Sequence, residues 1–206
     1  MTADLRQHSS PSARNRGPIL AVLEKYLPAQ GAGLVFEVAS GSGMHTAFFA
    51  EAFSHLTFQP SDPDEAARDS INGWVAHEGL TNVRPPLHVD AMSVRPDDLA
   101  LETPVVAMVN INMIHISPWA ACEGLMSTAG QVLSPGAHLF MYGPYARDGA
   151  HTAPSNAAFD ESLRACNPAW GIRHLEDVVA CAEENGLTPV EIVEMPANNL
   201  SVVYRR

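Results

Sequence analysis

Basic side chains are scarce in this sequence. Its 206 residues include 12 Lys and Arg against 23 Asp and Glu, which gives a formal net charge of −11. Affinity for a nucleic acid comes mainly from Lys and Arg side chains that neutralise phosphates, and anionic membrane surfaces attract the same side chains. We therefore expect that neither a nucleic acid nor a membrane is the partner of this protein.

Cysteine and long apolar runs are also rare. The three cysteines, Cys122, Cys166 and Cys181, are widely spaced and form no C-x-x-C pattern. This spacing indicates neither a disulfide framework nor a zinc site, and we expect no metal dependence. No apolar run is long enough to cross a bilayer, and the polar residues 1–16 contain no signal-peptide pattern. Together these features favour a cytoplasmic protein.

The sequence has the composition of a folded α/β protein, with 46% hydrophobic and 17% charged residues. Its length suits one domain that spans residues 1–206. Between residues 18 and 142, strand-like runs alternate with helical patterns, which predicts a parallel sheet. Two final strand-like segments have no helix between them and predict an antiparallel hairpin at the sheet edge. The seven predicted strands begin at Leu34, Leu56, Leu87, Val105, His138, Pro189 and Leu200.

Two segments depart from the alternation of strands and helices. Residues 1–16 are polar and are predicted to form a mobile N-terminal arm that a ligand orders. Residues 143–172 are rich in Gly, Pro and Asn around one short helix near 159–164. This segment is too long for a simple connection, so we predict that it is an active-site lid.

A glycine-containing turn at residues 37–43 follows the first predicted strand. Ligands of open α/β sheets bind at the carboxyl ends of strands, and Gly41 and Gly43 allow close backbone approach. The pattern equally fits a tight turn without a ligand. Glu37, however, stands in an otherwise apolar strand, where an unpaired carboxylate is unfavourable. The ammonium of a methionine group would suit it as a partner.

Two more acids follow the next predicted strands. Asp62 stands where a carboxylate can accept both ribose hydroxyls, and Asp90 where one can accept an adenine amino group. Either Asp alone is also an ordinary helix cap or turn residue. A dinucleotide fingerprint requires a third glycine where Thr46 stands, and a Walker loop requires a Gly-Lys-Ser/Thr run that is absent.

At this point the sequence resembles a known family. Residues 37–43 resemble the acid-x-Gly-x-Gly-x-Gly motif of class I S-adenosylmethionine-dependent methyltransferases, with Ala39 in place of the first glycine. Residues 110–116 resemble the fourth-strand motif of small-molecule methyltransferases, and residues 133–137 the turn before the fifth strand. More narrowly, the chain is similar to an uncharacterised methyltransferase-like family that includes the animal methyltransferase-like protein 26. Segments 14–15, 59–62, 168–173 and 195–200 carry that narrower resemblance.

The resemblance implies a Rossmann-like class I methyltransferase fold, with a mostly parallel seven-stranded sheet and an antiparallel C-terminal hairpin. It also implies S-adenosyl-L-methionine as the cofactor. The residues expected to bind this cofactor are Glu37, Ala39, Ser40, Gly41, Gly43, Asp62, Asp90, Ala91 and Asn110.

His115 is the main catalytic candidate, because it follows the fourth strand close to where the methyl group lies in this fold. A neutral imidazole can accept a proton from the methyl acceptor, although a histidine packed beneath the lid fits the pattern equally well. Tyr142, beside the lid, is the second catalytic candidate. The residues predicted to bind substrate are Arg14, Asn15, Tyr145, Asn156, Arg164, Trp170, Arg173 and Asn198.

Two of the predicted substrate residues, Arg164 and Arg173, could hold a substrate carboxylate or form salt bridges within the protein. The function predicted from all of these features is methyl transfer to a small polar metabolite through an O, N or S atom, by a monomer or homodimer. The alternatives are a non-catalytic S-adenosylmethionine-binding protein that acts through a partner, and an NAD-linked oxidoreductase.

Overall fold

A six-stranded mixed sheet forms the centre of the computed structural model, which describes residues 4–206. The strands are β1 (Leu34–Val38), β2 (Thr57–Ser61), β3 (Val105–Ile111), β4 (Leu133–Gly143), β8 (Thr188–Met195) and β9 (Asn199–Arg205). Their order is β2-β1-β3-β4-β9-β8. The first four strands are parallel, whereas β9 runs antiparallel to both of its neighbours. The predicted C-terminal antiparallel hairpin is therefore confirmed.

Helices cover both faces of this sheet. They are α1 (Ser10–Tyr26), α2 (Met44–Ala52), α3 (Glu65–Glu78), α4 (Trp119–Val132), α5 (Pro154–Cys166) and α6 (Leu175–Glu184). Alternate strand residues enter two apolar clusters, one shared with α1 and α2 and the other with α4 and α6. None of the helices within residues 4–206 combines the length and apolar character that a membrane span requires.

Strand register brings the ends of the parallel strands together. Val38 at the end of β1 pairs with Ser61 on one side and with Asn110 on the other. Ile111, the next residue of β3, pairs with Tyr142 of β4. The residues that follow these strand ends therefore share one edge of the sheet, at the point where the chain order reverses beside β1.

The prediction of seven strands is wrong for the main sheet, which contains six. The segment predicted as the third strand makes only two isolated bridges, Phe58 with Val83 and Ser61 with Leu87. Pro85 and Pro86 lie between these bridges and have no N–H to donate, so a continuous ladder cannot form there. The segment still follows the edge of β2.

The first helix begins at Ser10, eight residues earlier than the predicted start at Pro18. Ser9 caps it by accepting a hydrogen bond from the backbone N–H of Ser12 at 3.3 Å. Before the helix, the backbone N–H of Gln7 donates to Ser70 Oγ at 2.8 Å, and Trp74 donates to the carbonyl of Gln7 at 3.1 Å. Within the predicted arm at 1–16, residues 1–3 lie outside the described residues.

The predicted lid at 143–172 has more structure than its sequence indicates. It contains α5, of 13 residues, and two strands of a small sheet in which β5 (Tyr145–Arg147) lies between β6 (Ala150–His151) and β7 (Arg173–His174). The helix begins at Pro154, which lies in its first turn, and Asn167 is its C-terminal cap residue. The segment lies next to the carboxyl ends of the parallel strands, as described below.

Candidate functional site

A cavity of about 670 Å³ lies at the carboxyl ends of β1, β2 and β3. Its size falls within the range of small-molecule and cofactor sites. Five residues that precede or begin α1 also line it, so α1 reaches the cavity edge. The residues predicted to bind the cofactor that do line this cavity are Glu37, Ala39, Ser40, Gly41, Asp62, Asp90 and Ala91.

Glu37 is buried in the wall of this cavity without a cationic partner among the described residues. Its side chain is 3% exposed and accepts a hydrogen bond from the Thr46 hydroxyl, while the Ser40 hydroxyl donates to the backbone carbonyl of Glu37 at 3.4 Å. Burial raises the pKa of Glu37 to about 7, and the hydroxyls of Thr46 and Ser40 oppose the rise. A cationic group bound in the cavity would supply the opposite charge that this carboxyl lacks.

Gly41 and Asp62 form the turn on the cavity wall. Gly41 has a left-handed φ of +55°, and its backbone N–H donates to Asp62 Oδ2 at 2.9 Å. A Cβ atom added to Gly41 would meet no protein atom within 4 Å, because the position faces open space. Asp62 Oδ1 also accepts the Asp64 backbone N–H at 3.0 Å, so the carboxylate is fixed by two backbone donors.

Ala39 and Gly43 play different parts in the same turn. Ala39 has a φ of +57°, a left-handed conformation that glycine adopts more easily than alanine. Gly43 does not line the cavity. It has a φ of +80°, and a Cβ atom there would lie 2.7 Å from the Cα of Ile71. The absence of a side chain at Gly43 therefore allows α2 and α3 to pack closely.

Asp90 and Asn110 occupy the remaining strand ends. Asp90 is partly exposed in the cavity, and its Oδ1 accepts the Met92 backbone N–H at 2.9 Å. Asn110, predicted to bind cofactor, is 1% exposed and does not line the cavity. Its side chain donates to the carbonyl of Val38 at 3.0 Å, so it joins the ends of β1 and β3 below the cavity floor.

A second cavity of about 550 Å³ adjoins the first. Three residues line both cavities, namely Pro11, Asn112 and Ile116. The second cavity contains both catalytic candidates and four residues predicted to bind substrate: His115, Tyr142, Arg14, Asn15, Asn156 and Asn198. Trp170, also predicted to bind substrate, lines the first cavity instead.

His115 is buried at the edge of the second cavity. Its ring is 3% exposed and lies 5.8 Å from the ring of Phe159, centroid to centroid. Burial lowers the pKa of His115 to about 4, and the charge of Arg173 contributes to the shift. The imidazole is therefore neutral at pH 7. Its Nδ1 atom is buried without a hydrogen-bond partner among the described residues.

The Asn15 side chain lies beside one lining residue of each cavity. Its Oδ1 lies 2.7 Å from Nε2 of His45, which lines the first cavity. The Asn15 amide also lies beside the hydroxyl of Tyr142, which lines the second. Burial raises the pKa of the Tyr142 hydroxyl, so it is protonated at neutral pH, although the neighbouring Asn15 amide opposes this shift.

Three residues predicted to bind substrate line neither cavity. Tyr145 is 1% exposed and lies in the core between β4 and α6. Arg164 pairs with Asp160, with Nε and Oδ2 2.9 Å apart. Arg173 donates to the carbonyls of Ile114, Ser117 and Ala169 at 2.6–3.0 Å. Both arginines line a separate surface groove, away from the two cavities.

Other cavity residues were not predicted from the sequence. Asn112 lines both cavities and has a left-handed φ of +57°, which Asn tolerates better than most residues. Its position in the motif 110–116 was a usable signal. Ile116 and Phe159 have 44% and 40% of their surfaces exposed, and Met92 has 49%, all at cavity walls. Nothing in their sequence spacing distinguishes these three from core residues.

The fold is similar to that of solved methyltransferase structures. An O-methyltransferase family protein from Burkholderia thailandensis has a TM-score of 0.77 at 15% identity, covering 95% of this chain and 57% of that protein. A putative O-methyltransferase from Nostoc punctiforme has a TM-score of 0.78 at 13% identity, covering 95% and 56%. Human N-acetylserotonin methyltransferase, solved with S-adenosylmethionine, has a TM-score of 0.70 at 11% identity, covering 95% and 52%.

These similarities show an α/β methyltransferase-like fold with a mixed sheet, and the chain spans a little over half the length of each structure. The sequence itself matches a family model described as "Protein of unknown function (DUF938)" over residues 6–206. Because this match covers nearly the whole chain, the protein belongs to the DUF938 family.

Proposed function

We propose that this protein binds S-adenosylmethionine in the first cavity and transfers its methyl group to a small polar molecule in the second. The observation that carries the proposal is Glu37, a buried carboxyl on the cavity wall that has the Thr46 hydroxyl as a partner and no cation among residues 4–206. An isolated buried carboxylate is unfavourable, so the position favours a ligand with a positive charge. The cofactor has an ammonium group that fits this requirement.

The other residues of the first cavity support the same ligand. Asp62 and Asp90 line it with carboxylate oxygens that can accept hydrogen bonds from ribose hydroxyls and an adenine amino group. Gly41 leaves open space on the wall, where the backbone can approach a ligand closely. Thr46, at the position where a dinucleotide fingerprint has glycine, donates its hydroxyl to Glu37. This use of Thr46 favours S-adenosylmethionine over NAD.

When bound, the cofactor supplies an activated methyl group for in-line displacement by a nucleophilic atom. The protein then contributes positioning and the exclusion of water. Asn112 and Ile116 line both cavities and so define the passage between donor and acceptor. His115 and Tyr142 hold neutral polar atoms in the second cavity, and His115 is the residue we propose to receive a proton from the acceptor.

The lid at 143–172 supplies residues to both cavities. Asn156 and Phe159 of α5 line the second cavity, and Trp170 lines the first. Asn156 donates to the carbonyl of Asn198 at 3.0 Å, and Asn198 donates to Ser155 Oγ at 3.1 Å. We propose that this segment opens for exchange of ligands. The narrower resemblance to the family that includes methyltransferase-like protein 26 also remains a proposal.

Calorimetry with S-adenosylmethionine, S-adenosylhomocysteine and NAD tests the cofactor, and transfer of labelled methyl groups into a small-molecule extract tests catalysis. We expect both adenosyl ligands to bind, NAD not to bind, and a labelled product to form. Binding of NAD alone would overturn the proposal in favour of an oxidoreductase. Cofactor binding without a product from any acceptor would instead favour a non-catalytic binding protein that acts through a partner.

A further inference from the structure

The second cavity has an unusual charge pattern for so acidic a protein. Its described lining contains no Asp, Glu or Lys residue, although the chain has a net charge of −11. Arg14 is the one lining side chain that carries a charge at neutral pH, since His115 and Tyr142 are both neutral there. A cationic acceptor would find no carboxylate in this cavity, whereas an anionic acceptor would find a guanidinium.

Arg14 has no ion-pair partner among the described residues. No carboxylate among residues 4–206 lies within 4 Å of it. By contrast, Arg164 pairs with Asp160, and Arg16 lies over the ring of Phe48 at 4.5 Å. The N–H donors of the Arg14 guanidinium are therefore available to a carboxylate, which the guanidinium can bind through two parallel hydrogen bonds.

The rest of the lining is apolar or neutral. Phe159 and Ile116 expose 40% and 44% of their surfaces, an unusual exposure for large apolar side chains that face a cavity. Asn15 lies one residue after Arg14, and its amide lies beside the Tyr142 hydroxyl, so the cation and the hydroxyl line the same cavity. An acceptor that complements this surface has an apolar body and one anionic group.

We propose that the methyl acceptor is a small organic carboxylate with an apolar body, and that Arg14 binds its carboxylate. The single cation favours a monoanion over a phosphate monoester, which carries close to two charges at pH 7. This inference rests on the proposed function for the identity of the second cavity as the acceptor site. Binding of the substrate carboxylate, which the sequence suggested for Arg164 and Arg173, is thereby assigned to Arg14.

The test uses triplets of probes that match in size and differ in charge, for example 4-hydroxybenzoate, 4-hydroxybenzamide and 4-hydroxybenzylamine. Calorimetry measures their affinities for the parent protein saturated with S-adenosylhomocysteine. We expect carboxylates to bind about tenfold or more tightly than their amides, as one charge-assisted pair predicts, and amines to bind least. Arg14→Gln should abolish this preference, and Arg14→Lys should retain part of it.

Arg16→Gln is the matched control, because Arg16 lies on the same helix but lines neither cavity. It should leave the preference for carboxylates unchanged. Failure of every carboxylate to bind at about 10 mM, equal affinity for acid and amide, or a preference that survives Arg14→Gln would each overturn the proposal. Arg14→Gln and the parent should bind S-adenosylmethionine with the same affinity. If neither protein binds S-adenosylmethionine, the proposed function is refuted, rather than the role of Arg14 alone.

Discussion

The Oδ1 atom of Asn15 on α1 lies 2.7 Å from the Nε2 atom of His45 on α2. The His45 ring is 6% exposed and stacks on Phe49, with 5.6 Å between ring centroids. Because an amide oxygen only accepts, Nε2 must carry the hydrogen that forms this bond. The contact fixes the start of α1 against the first cavity, while the same amide lies beside Tyr142 of the second cavity.

Asn15→Leu should therefore destabilise the protein. The change leaves the His45 N–H without its partner, and one unsatisfied buried donor costs about 1–3 kcal/mol. We expect urea denaturation to show a decrease in the free energy of unfolding of that size. Asn72→Leu, at an exposed position of α3, should change it by less than about 0.5 kcal/mol. Equal effects of the two changes would show that the Asn15 bond is not stabilising.

Protonation of the buried histidines should make stability depend on pH. Burial lowers the pKa of both His45 and His115 to about 4, well below the usual 6.5. The unfolded chain therefore binds more protons between these values, and each histidine's contribution to stability decreases as pH falls from 6.5 towards 4. The buried carboxyl of Glu37 has the opposite effect, because its raised pKa makes its contribution decrease as pH rises from 4.5 to about 7.

Comparison of the parent with His115→Gln isolates one of these contributions. The parent should lose stability relative to the variant by about 1.4 kcal/mol for each pH unit below 6.5. Urea denaturation at pH 7, 6 and 5 measures this difference. His88→Gln, at an exposed position, should remain parallel to the parent at all three pH values. A parent–His115→Gln difference that is constant with pH would contradict the low pKa of His115.

Cofactor binding should release a proton from Glu37. With a pKa of about 7 in the protein alone, this carboxyl is protonated in about half of the molecules at pH 7. An ammonium group placed beside it favours the charged form and lowers that pKa. Calorimetry of S-adenosylmethionine binding in buffers of different ionisation enthalpy should therefore detect release of about half a proton at pH 7.

Glu37→Gln should bind the cofactor weakly and release no proton, whereas Glu51→Gln, at an exposed position of α2, should match the parent in both respects. Glu37→Gln should also stabilise the protein without cofactor at pH 8, since it removes a buried carboxyl that must ionise there. Proton release of equal size in Glu37→Gln and the parent would show that another group titrates.

The sequence was most informative about candidate site residues that directly follow a predicted strand. The turn at 37–43 and the acids Asp62 and Asp90 could be assigned because each directly follows a predicted strand, and the parallel register brings them together. The predicted third strand could not be excluded from the sequence, because Leu87 and Val89 alternate with polar residues as in a strand, in spite of Pro85 and Pro86. Arginine roles were least predictable, since they depend on partners far along the chain.

The start of α1 and its contacts with the cavities were also not predictable from the sequence. Pro18 is a common first-turn residue, but here it lies within the helix, and the Ser9 cap sets the true start. Nothing in residues 10–17 indicated that this turn of helix lines both cavities. Arg14 and Asn15 were expected to close over the site from the N-terminal arm, whereas their placement in one cavity follows from packing of α1 against α2.

Gly41→Val should abolish cofactor binding and leave the fold intact. The φ of +55° disfavours a β-branched residue, and the added side chain would extend into the cavity, where no protein atom lies within 4 Å of Cβ. Gly149→Val is a matched control, because Gly149 has a φ of +75° and equally open surroundings but lies outside both cavities. Calorimetry should show binding only in the control, with similar circular dichroism spectra for both variants. Undiminished affinity in a folded Gly41→Val protein would show that the turn is merely structural.

His115→Ala should slow methyl transfer by roughly a hundredfold or more while cofactor affinity remains nearly unchanged, as expected for loss of a general base. The ring lines the second cavity, and no residue of the first cavity depends on it. An ordinary histidine would give a rate that falls below pH 6.5. Because burial lowers this pKa to about 4, the neutral base persists to lower pH, and the rate should stay level from pH 8 to about 5.

The buried Nδ1 atom of His115 provides a further discriminating test. A base that uses Nε2 must carry its hydrogen on Nδ1, which finds no acceptor among the described residues. The Cε1 and Nδ1 atoms lie 3.3 Å from the position that a Cβ atom of Gly143 would occupy, so Gly143→Ala should press on the ring. We expect Gly143→Ala to reduce the turnover rate more than the affinity for the acceptor. If His115→Ala instead keeps most of the parent rate, His115 only shapes the cavity, and the acceptor reacts as an anion that needs no base.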